Sequence, residues 1–322
     1  MQIAVGHAAH PSKKLKHHEV DTNRKILQKN DTVQNVLKHY LENMPMQDHL
    51  KEFVTRCSSI SRLKSIGKST KGFNIWAIEI SDKPGRGEPE PHVKLVGNLH
   101  GDEPTGRALT MALAEWLCKN YETDEDAKRI VNDVHLWLVP SMNPDGFTAK
   151  RRENINGKDL NRNFPDRFID PSMEPTGEEE AETAVMMKWS LTQHFVSSLA
   201  FHEGALVANY PYDGTADKKT RYEACPDDDT FKYLASTYAK AHANMSVADN
   251  AEFPGAGGIT NGAAWYPIQG SMQDWNYIRA GCMEVTLEVS QSKWPPESML
   301  PQLFKDNLPA MLDFIKVSAL GG

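Results

Sequence analysis

Three stretches of this sequence carry residues whose types and spacing suit hydrolytic chemistry. In Gly97-Asn98-Leu99-His100-Gly101-Asp102-Glu103, the apolar run VKLV leads into a polar turn that presents His100 and Glu103 three positions apart. An imidazole and a carboxylate so placed can both reach one Zn²⁺ at about 2.0–2.2 Å, although a plain His–Glu hydrogen bond uses the same pair. His202 repeats the pattern in LAFHEGALV: an apolar strand, a histidine at its end, then glycine. Two imidazoles and one carboxylate make three protein ligands and leave a position for water, which is the arrangement of a catalytic zinc. Other histidines, such as His39, His49 and His242, sit in polar helical or loop contexts and read as solvated or structural.

The second stretch runs from Arg152 to Arg162 through Asn161. Arginine grips a carboxylate in a planar, bidentate way and can stabilise a developing oxyanion. The neighbouring Arg151 keeps a merely solvated cationic loop in play. The third is Glu288 in MEVTLEVS, which alternates with Val285, Leu287 and Val289 and shares its face with Glu284 and Thr286. A carboxylate on a central strand costs several kcal/mol unless it is paired or functional. Beside zinc-bound water it is the natural general base, whereas on an edge strand it needs no explanation.

These residues need a frame. Helical periodicity starts at Thr32 and recurs through Leu50, Phe53 and Val54. SRLKSIGKS and FNIWAIEIS alternate as a strand pair, and DKPGRGEPEP is a loop. VKLVGNLH, VHLWLVPSMNPDG, SSLAFHEGALV and MEVTLEVS read as strands. ALTMALAEWLCKN, EEEAETAVMMKWSLTQH and DDDTFKYLASTYAKAHANM read as helices, the last capped by Asp227–Asp229. A closing helix begins near ESML and is interrupted by Pro309. Strands alternating with long helices predict an α/β fold: a mixed, largely parallel twisted sheet with helices on both faces. In such sheets ligands collect beyond the carboxyl ends of the strands, where His100 and His202 fall. A flexible lead-in over 1–31 and one domain over 32–322 is the economical division.

Composition sets outer limits. The 322 residues are 39% hydrophobic and 25% charged, which excludes collagen-like, coiled-coil and wholly disordered chains. No run approaches eighteen apolar residues, so no membrane span is expected, and the formal charge of -7 argues against a nucleic-acid partner. Four separated cysteines, Cys57, Cys118, Cys225 and Cys282, contain no CxxC pair and leave disulfides and free buried thiols equally open. Asn30 and Asn244 head Asn-x-Ser/Thr triplets. The start, MQIAVGHAAHPSKKLKHH, lacks the apolar stretch of a signal peptide, so the expectation is an intracellular protein or a chain that begins after its targeting segment.

GNLHGDE, PSMNPDGF, DLNRNFPD, HEGALVANYPYDGT, ACPDD, ITNGAAWYPIQGSMQDWNY and TLEVS occur in this order. Together they resemble the zinc metallocarboxypeptidases of the carboxypeptidase N/E/D subfamily, nearest to the plant carboxypeptidase D-like enzymes that process secreted peptides. The resemblance covers about residues 35–320. It implies a metallocarboxypeptidase-like fold and one zinc ion per chain, held by His100, Glu103 and His202. It further implies Glu288 as general base, Arg152 as the arginine that polarises the scissile carbonyl, and Asn161 with Arg162 as the pair that holds the substrate's terminal carboxylate. Tyr266 matches the tyrosine that closes over the bound end. Asp213 matches the subfamily's pocket aspartate and Gln273 a pocket-floor position, although Asp213-Gly214 is also a common turn dipeptide.

The implied activity is removal of C-terminal Arg or Lys from peptides or proteins, by a monomer in the secretory pathway or outside the cell. Three departures stand out. Glu203 occupies a place where the subfamily usually has glycine, and tuning of the water and exposure to solvent both stay open for it. The loop before Arg152 is shorter than in the vertebrate enzymes. The transthyretin-like β-sandwich that usually follows is absent from these 322 residues. A zinc amidohydrolase of related fold and a non-catalytic binding module are the rival readings; Tyr266, Asp213 and the intact NRNF run weigh against the first, and Glu288 against the second.

Overall fold

The computed structural model describes residues 31–247, 252–253 and 255–319. The lead-in expected over 1–31, apart from Asp31, and the triplet asparagine Asn30 lie outside them. Helices α1 (Thr32–Val36) and α2 (Asn43–Arg56) precede the antiparallel pair β1 (Ser61–Lys68) and β2 (Asn74–Ile80). Then come β3 (His92–Val96), α3 (Thr105–Asn120), α4 (Glu125–Asp133), β4 (His135–Val139) and α5 (Pro144–Ala149). A 3₁₀ turn, Leu160–Arg162, leads to α6 (Ala181–Gln193), β5 (Ser197–His202) and β6 (Ala205–Tyr210). The chain closes with α7 (Asp228–Ala241), β7 (Ile259–Asn261), α8 (Gly262–Trp265), α9 (Met272–Ile278), β8 (Met283–Ser290) and α10 (Leu300–Ser318).

The eight strands form one sheet in the order β1-β2-β4-β3-β5-β8-β6-β7. The run β4-β3-β5-β8 is parallel, as is β6-β7, while β1-β2, β2-β4 and β6-β8 are antiparallel. Strand alternation sends the two faces to two cores. Leu95, Leu136, Leu199, Phe201, Val285 and Leu287 pack with α1–α4, α7 and α10. Trp137, Val139 and Ala200 pack on the other side with Met186, Met187, Met272 and Trp275 of α6 and α9. The mixed sheet covered on both faces is the predicted fold.

The second face also carries buried polar groups. Lys94 Nζ donates to Ser190 Oγ at 2.7 Å and Asn276 Oδ1 at 2.8 Å. Glu284 accepts from Ser198 Oγ and Asn276 Nδ2, both at 2.7 Å. These bonds tie α9 to the strands beneath the carboxyl ends, and they satisfy Lys94 and one oxygen of Glu284, as burial demands.

Several local expectations are corrected. SSLAFHEGALV is two strands, because Gly204, at φ 128°, turns the chain over the end of β8. As a result β5 pairs with one side of β8 and β6 with the other. Pro309 does not interrupt α10. It lies on the exposed side of the helix together with Lys305, the residue whose carbonyl loses its helical partner. No Asp side chain of 227–229 caps α7 through the Asp227 position: that carboxylate accepts from the Tyr277 hydroxyl at 2.8 Å, and Asp228 pairs with Lys232 at 2.7 Å. A disulfide joins Cys57 to Cys118, whereas Cys225 and Cys282 are buried thiols.

One buried histidine makes stability depend on pH. His242 closes α7, and its Nδ1 accepts from the backbone N–H groups of Asn244 and Met245, both at 3.1 Å. Burial lowers its pKa from 6.5 to about 4, against the partial opposition of Asp306. A proton on Nδ1 would displace both bonds. Because the folded value lies below the unfolded one, this stabilisation is complete above pH 6.5 and is lost as pH falls towards 4. Denaturant unfolding at pH 7 and pH 4.5 should differ by about 1–2 kcal/mol more in the parent protein than in His242→Asn. Equal pH dependence in the two would refute this assignment.

Candidate active site

β3 and β5 are parallel neighbours, with Val96 opposite Ala200, so their carboxyl ends open side by side. His202 ends β5, and the turn after β3 carries His100 and Glu103 to the start of α3. All three are buried. Glu103 Oε2 lies 2.9 Å from His100 Nδ1 and 2.9 Å from His202 Nδ1, and the two nitrogens are 3.1 Å apart. Bonds of about 2.0–2.1 Å in a tetrahedron put ligand atoms about 3.3 Å from one another, close to these separations. Two ring nitrogens and a carboxylate oxygen aimed at one point suit a cation, and the N₂O donor set suits zinc. Burial alone would raise the Glu103 carboxyl, but the His100 charge and the hydrogen bonds from His100 and His202 outweigh it and hold it well below the usual range.

The outer atom of His100, Nε2, meets Asp159 Oδ1 at 3.1 Å. A carboxylate behind a ligand imidazole fixes the tautomer and aims the other nitrogen inward. Asp159 also accepts from Arg152 Nε at 2.9 Å and from the Asn161 backbone N–H at 2.9 Å. Burial opposes its ionisation, yet His100, Arg152 and Arg162 hold its carboxyl well below the ordinary value.

Glu288 sits opposite His202 across the β5–β8 ladder and opposite Val207 across β6–β8, so β8 is an interior strand and the edge-strand reading is excluded. The side chain is 7% exposed, and among the described residues its Oε2 has no hydrogen-bond partner. Burial, then the Glu103 charge, pushes its pKa up to about 8, with His100, Lys293 and Arg152 pulling the other way. Lys293 enters the same cleft and reaches Glu103 Oε1 at 2.7 Å.

A cavity of about 160 Å³ connects these groups to Arg152, Asn161, Arg162, Tyr266 and Asp213. Asn161 Oδ1 accepts from the Met272 N–H at 2.9 Å, which fixes the 3₁₀ turn against α9, and Arg162 Nη1 donates to the Asn161 carbonyl at 2.8 Å. Tyr266, just after α8, is 46% exposed at the wall. Asp213 is 2% exposed and accepts at Oδ1 from Gln273 Nε2 at 3.0 Å and Asn209 Nδ2 at 3.2 Å. A Cβ at Gly262 would overlap that oxygen, so only glycine leaves the floor open. Burial raises the Asp213 carboxyl, against the hydrogen bonds of Ser271 and Asn209 and the Arg162 charge, so an incoming cation would favour its ionised form. Gln273 stands one step back, touching the cavity through Asp213, while its Oε1 accepts from the Thr286 N–H at 2.8 Å.

All ten residues singled out in the sequence therefore gather in one cleft or directly behind it. Four contributors escaped the sequence reading: Asp159, Asn209, Asp274 and Lys293. Asp274 Oδ1 accepts from the Asp213 N–H at 2.9 Å, placing a second carboxyl under the floor, where burial and then the Asp213 charge raise it well above its usual value. Asp159 had a signal, since it lies between the two arginines and two positions before Asn161. Lys293 had none beyond closeness to Glu288. The open question over Glu203 is settled as to direction: its Oε1 turns inward and accepts from the Thr105 N–H at the start of α3, at 2.5 Å. Burial, more than the Glu103 charge, raises its pKa to about 8.

A sequence profile of a family described as zinc carboxypeptidase matches residues 46–310. Carboxypeptidase SOL1 of Arabidopsis thaliana is 51% identical over 276 residues, covering 86% of this chain and 55% of that protein. Carboxypeptidase E of Caenorhabditis elegans is 40% identical over 324 residues, 88% of this chain and 69% of that protein. Carboxypeptidase D of Mus musculus is 40% identical over 295 residues, 86% of this chain and 21% of that protein. The chain thus spans about half of the plant relative and about a fifth of the mouse one. Among solved structures, thrombin activatable fibrinolysis inhibitor superposes with a TM-score of 0.73 at 16% identity, over 89% of this chain and 76% of that one. The carboxypeptidase A from Helicoverpa armigera gives 0.71 at 16%, over 89% and 75%. At that identity the likeness is one of fold.

Proposed function

This chain belongs to the zinc carboxypeptidase family, and from that membership we propose that it is an exopeptidase that removes C-terminal Arg or Lys from peptides or proteins. The observation that carries the reading is the single cleft in which Glu288, the His100–Glu103–His202 cluster and the buried Asp213 all meet. Zinc at that cluster supplies Lewis acidity and lowers the pKa of water. Glu288, beside the cluster and, among the described residues, without a hydrogen-bond partner on Oε2, takes the proton of the attacking water and returns it to the leaving amine. Arg152 donates to the carbonyl oxygen as negative charge gathers there.

Asn161 and Arg162 pair with the terminal carboxylate, which limits cleavage to free chain ends. Tyr266, half-exposed at the wall, closes over that end. Asp213 at the open floor pairs with the substrate's guanidinium or ammonium, and Gln273 holds Asp213 in place. Every group named comes from one chain, so a monomer suffices, with residues 32–322 as the catalytic domain. The Cys57–Cys118 disulfide favours the secretory pathway or the exterior, and Asn244, exposed in the turn after α7, suits glycosylation there. No helix among the described residues is long and apolar enough to cross a membrane.

The test is hydrolysis of matched peptides ending in Arg, Lys, Phe or an amidated Arg, with and without a zinc chelator. The expected result is release of Arg and Lys alone, abolished by the chelator. Preference for Phe, or cleavage of the amide, would remove the proposal.

A further inference from the structure

The turn after β8 brings a lysine to the metal-ligand carboxylate. The stem of Lys293 lies over Gly204: a Cβ built on that glycine would stand 3.4 Å from Lys293 Cε and 3.9 Å from Cγ. The bare turn that carries the chain from His202 into β6 is thus the floor on which the methylene chain rests. From there Nζ reaches Glu103 Oε1 at 2.7 Å, with Asp102 Oδ2 at 3.9 Å. Glu103 consequently divides its two oxygens. Oε2 faces the Nδ1 atoms of His100 and His202, while Oε1 takes Lys293 and, at 3.3 Å, Arg152 Nη1.

The two cations are not equivalent. Arg152 is shared with Asp159 through Nε at 2.9 Å, and its Nη1 stands 3.2 Å from His100 Nδ1. In the proposed reaction its guanidinium turns to the substrate carbonyl, away from Glu103. Among the described residues Lys293 has no second carboxylate as close as Glu103, the next being the more distant Asp102.

We infer that Lys293 is a metal-positioning residue: its ammonium holds the outer oxygen of Glu103, keeps the inner oxygen aimed between the two imidazoles, and so leaves Arg152 free for substrate. The inference rests on the zinc reading of the site. Partners of this kind behind a metal ligand change affinity by about 10–100-fold when removed. The experiment measures zinc dissociation constants by competition with a chromophoric chelator for the parent protein, K293M and K293R, with the melting temperatures of the metal-free forms recorded alongside. K293M should bind zinc about 10–100-fold more weakly and K293R should recover most of that loss. The metal-free K293M should melt somewhat below the parent, because it leaves the 2% exposed Glu103 with one cation fewer, and zinc affinity is therefore compared at a temperature where every form is folded. Parent-like affinity in K293M, or a K293R as weak as K293M, would overturn the inference. A parent protein that fails to take up one zinc per chain would instead remove the zinc reading on which it stands.

Discussion

Glu288→Gln is expected to lower kcat on a peptide ending in arginine by about 10²–10⁴-fold while zinc content stays at one ion per chain. The substitution keeps shape and hydrogen-bonding reach but removes the basic oxygen. β8 is laddered on both sides, with His202 and Val207 opposite Glu288, so the backbone has no room to shift in compensation. The effect should be this large because no other carboxylate of the cleft is available. Glu103 is engaged by His100, His202, Arg152 and Lys293, Glu203 is turned to the start of α3, and Asp213 is held at the floor by Gln273 and Asn209. Metal analysis of the purified variant separates loss of a base from loss of the ion. A kcat within tenfold of the parent would take the proton-transfer role away from Glu288.

The second large effect is expected in selectivity. Asp213→Asn should reduce kcat/KM for peptides ending in Arg by about 10²–10³-fold, equivalent to about 3–4 kcal/mol, by leaving a buried cation without its counter-charge. Peptides ending in Phe or Leu should change little by comparison. The amide can preserve the local bonding, since Gln273 Nε2 and Asn209 Nδ2 both donate to one oxygen, Oδ1, which a carbonyl oxygen can replace. The change therefore tests charge rather than collapse of the floor. Equal losses on the basic and the apolar peptides would show that Asp213 supports the site without reading the side chain.

The gathering of His100, Glu103 and His202 could be read from the sequence because strand ends are informative. An apolar run that stops at a histidine predicts where the imidazole will lie, and β3 and β5 proved to be parallel neighbours with matched ends. Glu288 was half legible. Alternation predicted its face, but the strand's interior position depends on β6 returning along β8, and the turn at Gly204 that permits this was hidden inside what reads as one apolar strand. Lys94, Glu284 and Asn276 show why the polar interior was harder still. A lone lysine in an apolar strand gives no hint of its partners, which lie 96 and 182 positions away at Ser190 and Asn276. Pro309 departs from the sequence expectation because helix-breaking strength depends on whether the orphaned carbonyl meets water, and a single sequence does not say which side is wet.

The wrap of the chain around β8 separates the molecule's two competences. The groups assigned to bond breaking, apart from Arg152 in the loop after α5, hang on strands bonded along both flanks, or on the turns at their ends. The groups assigned to recognising what is removed, such as Asp213, Asn161 and Tyr266, belong to excursions outside those ladders. An engineer could therefore rewrite which terminal residues are trimmed by exchanging the excursions that carry Asp213 and Tyr266, while the loop of Arg152, Asp159 and Asn161 stays with the inherited cleaving apparatus.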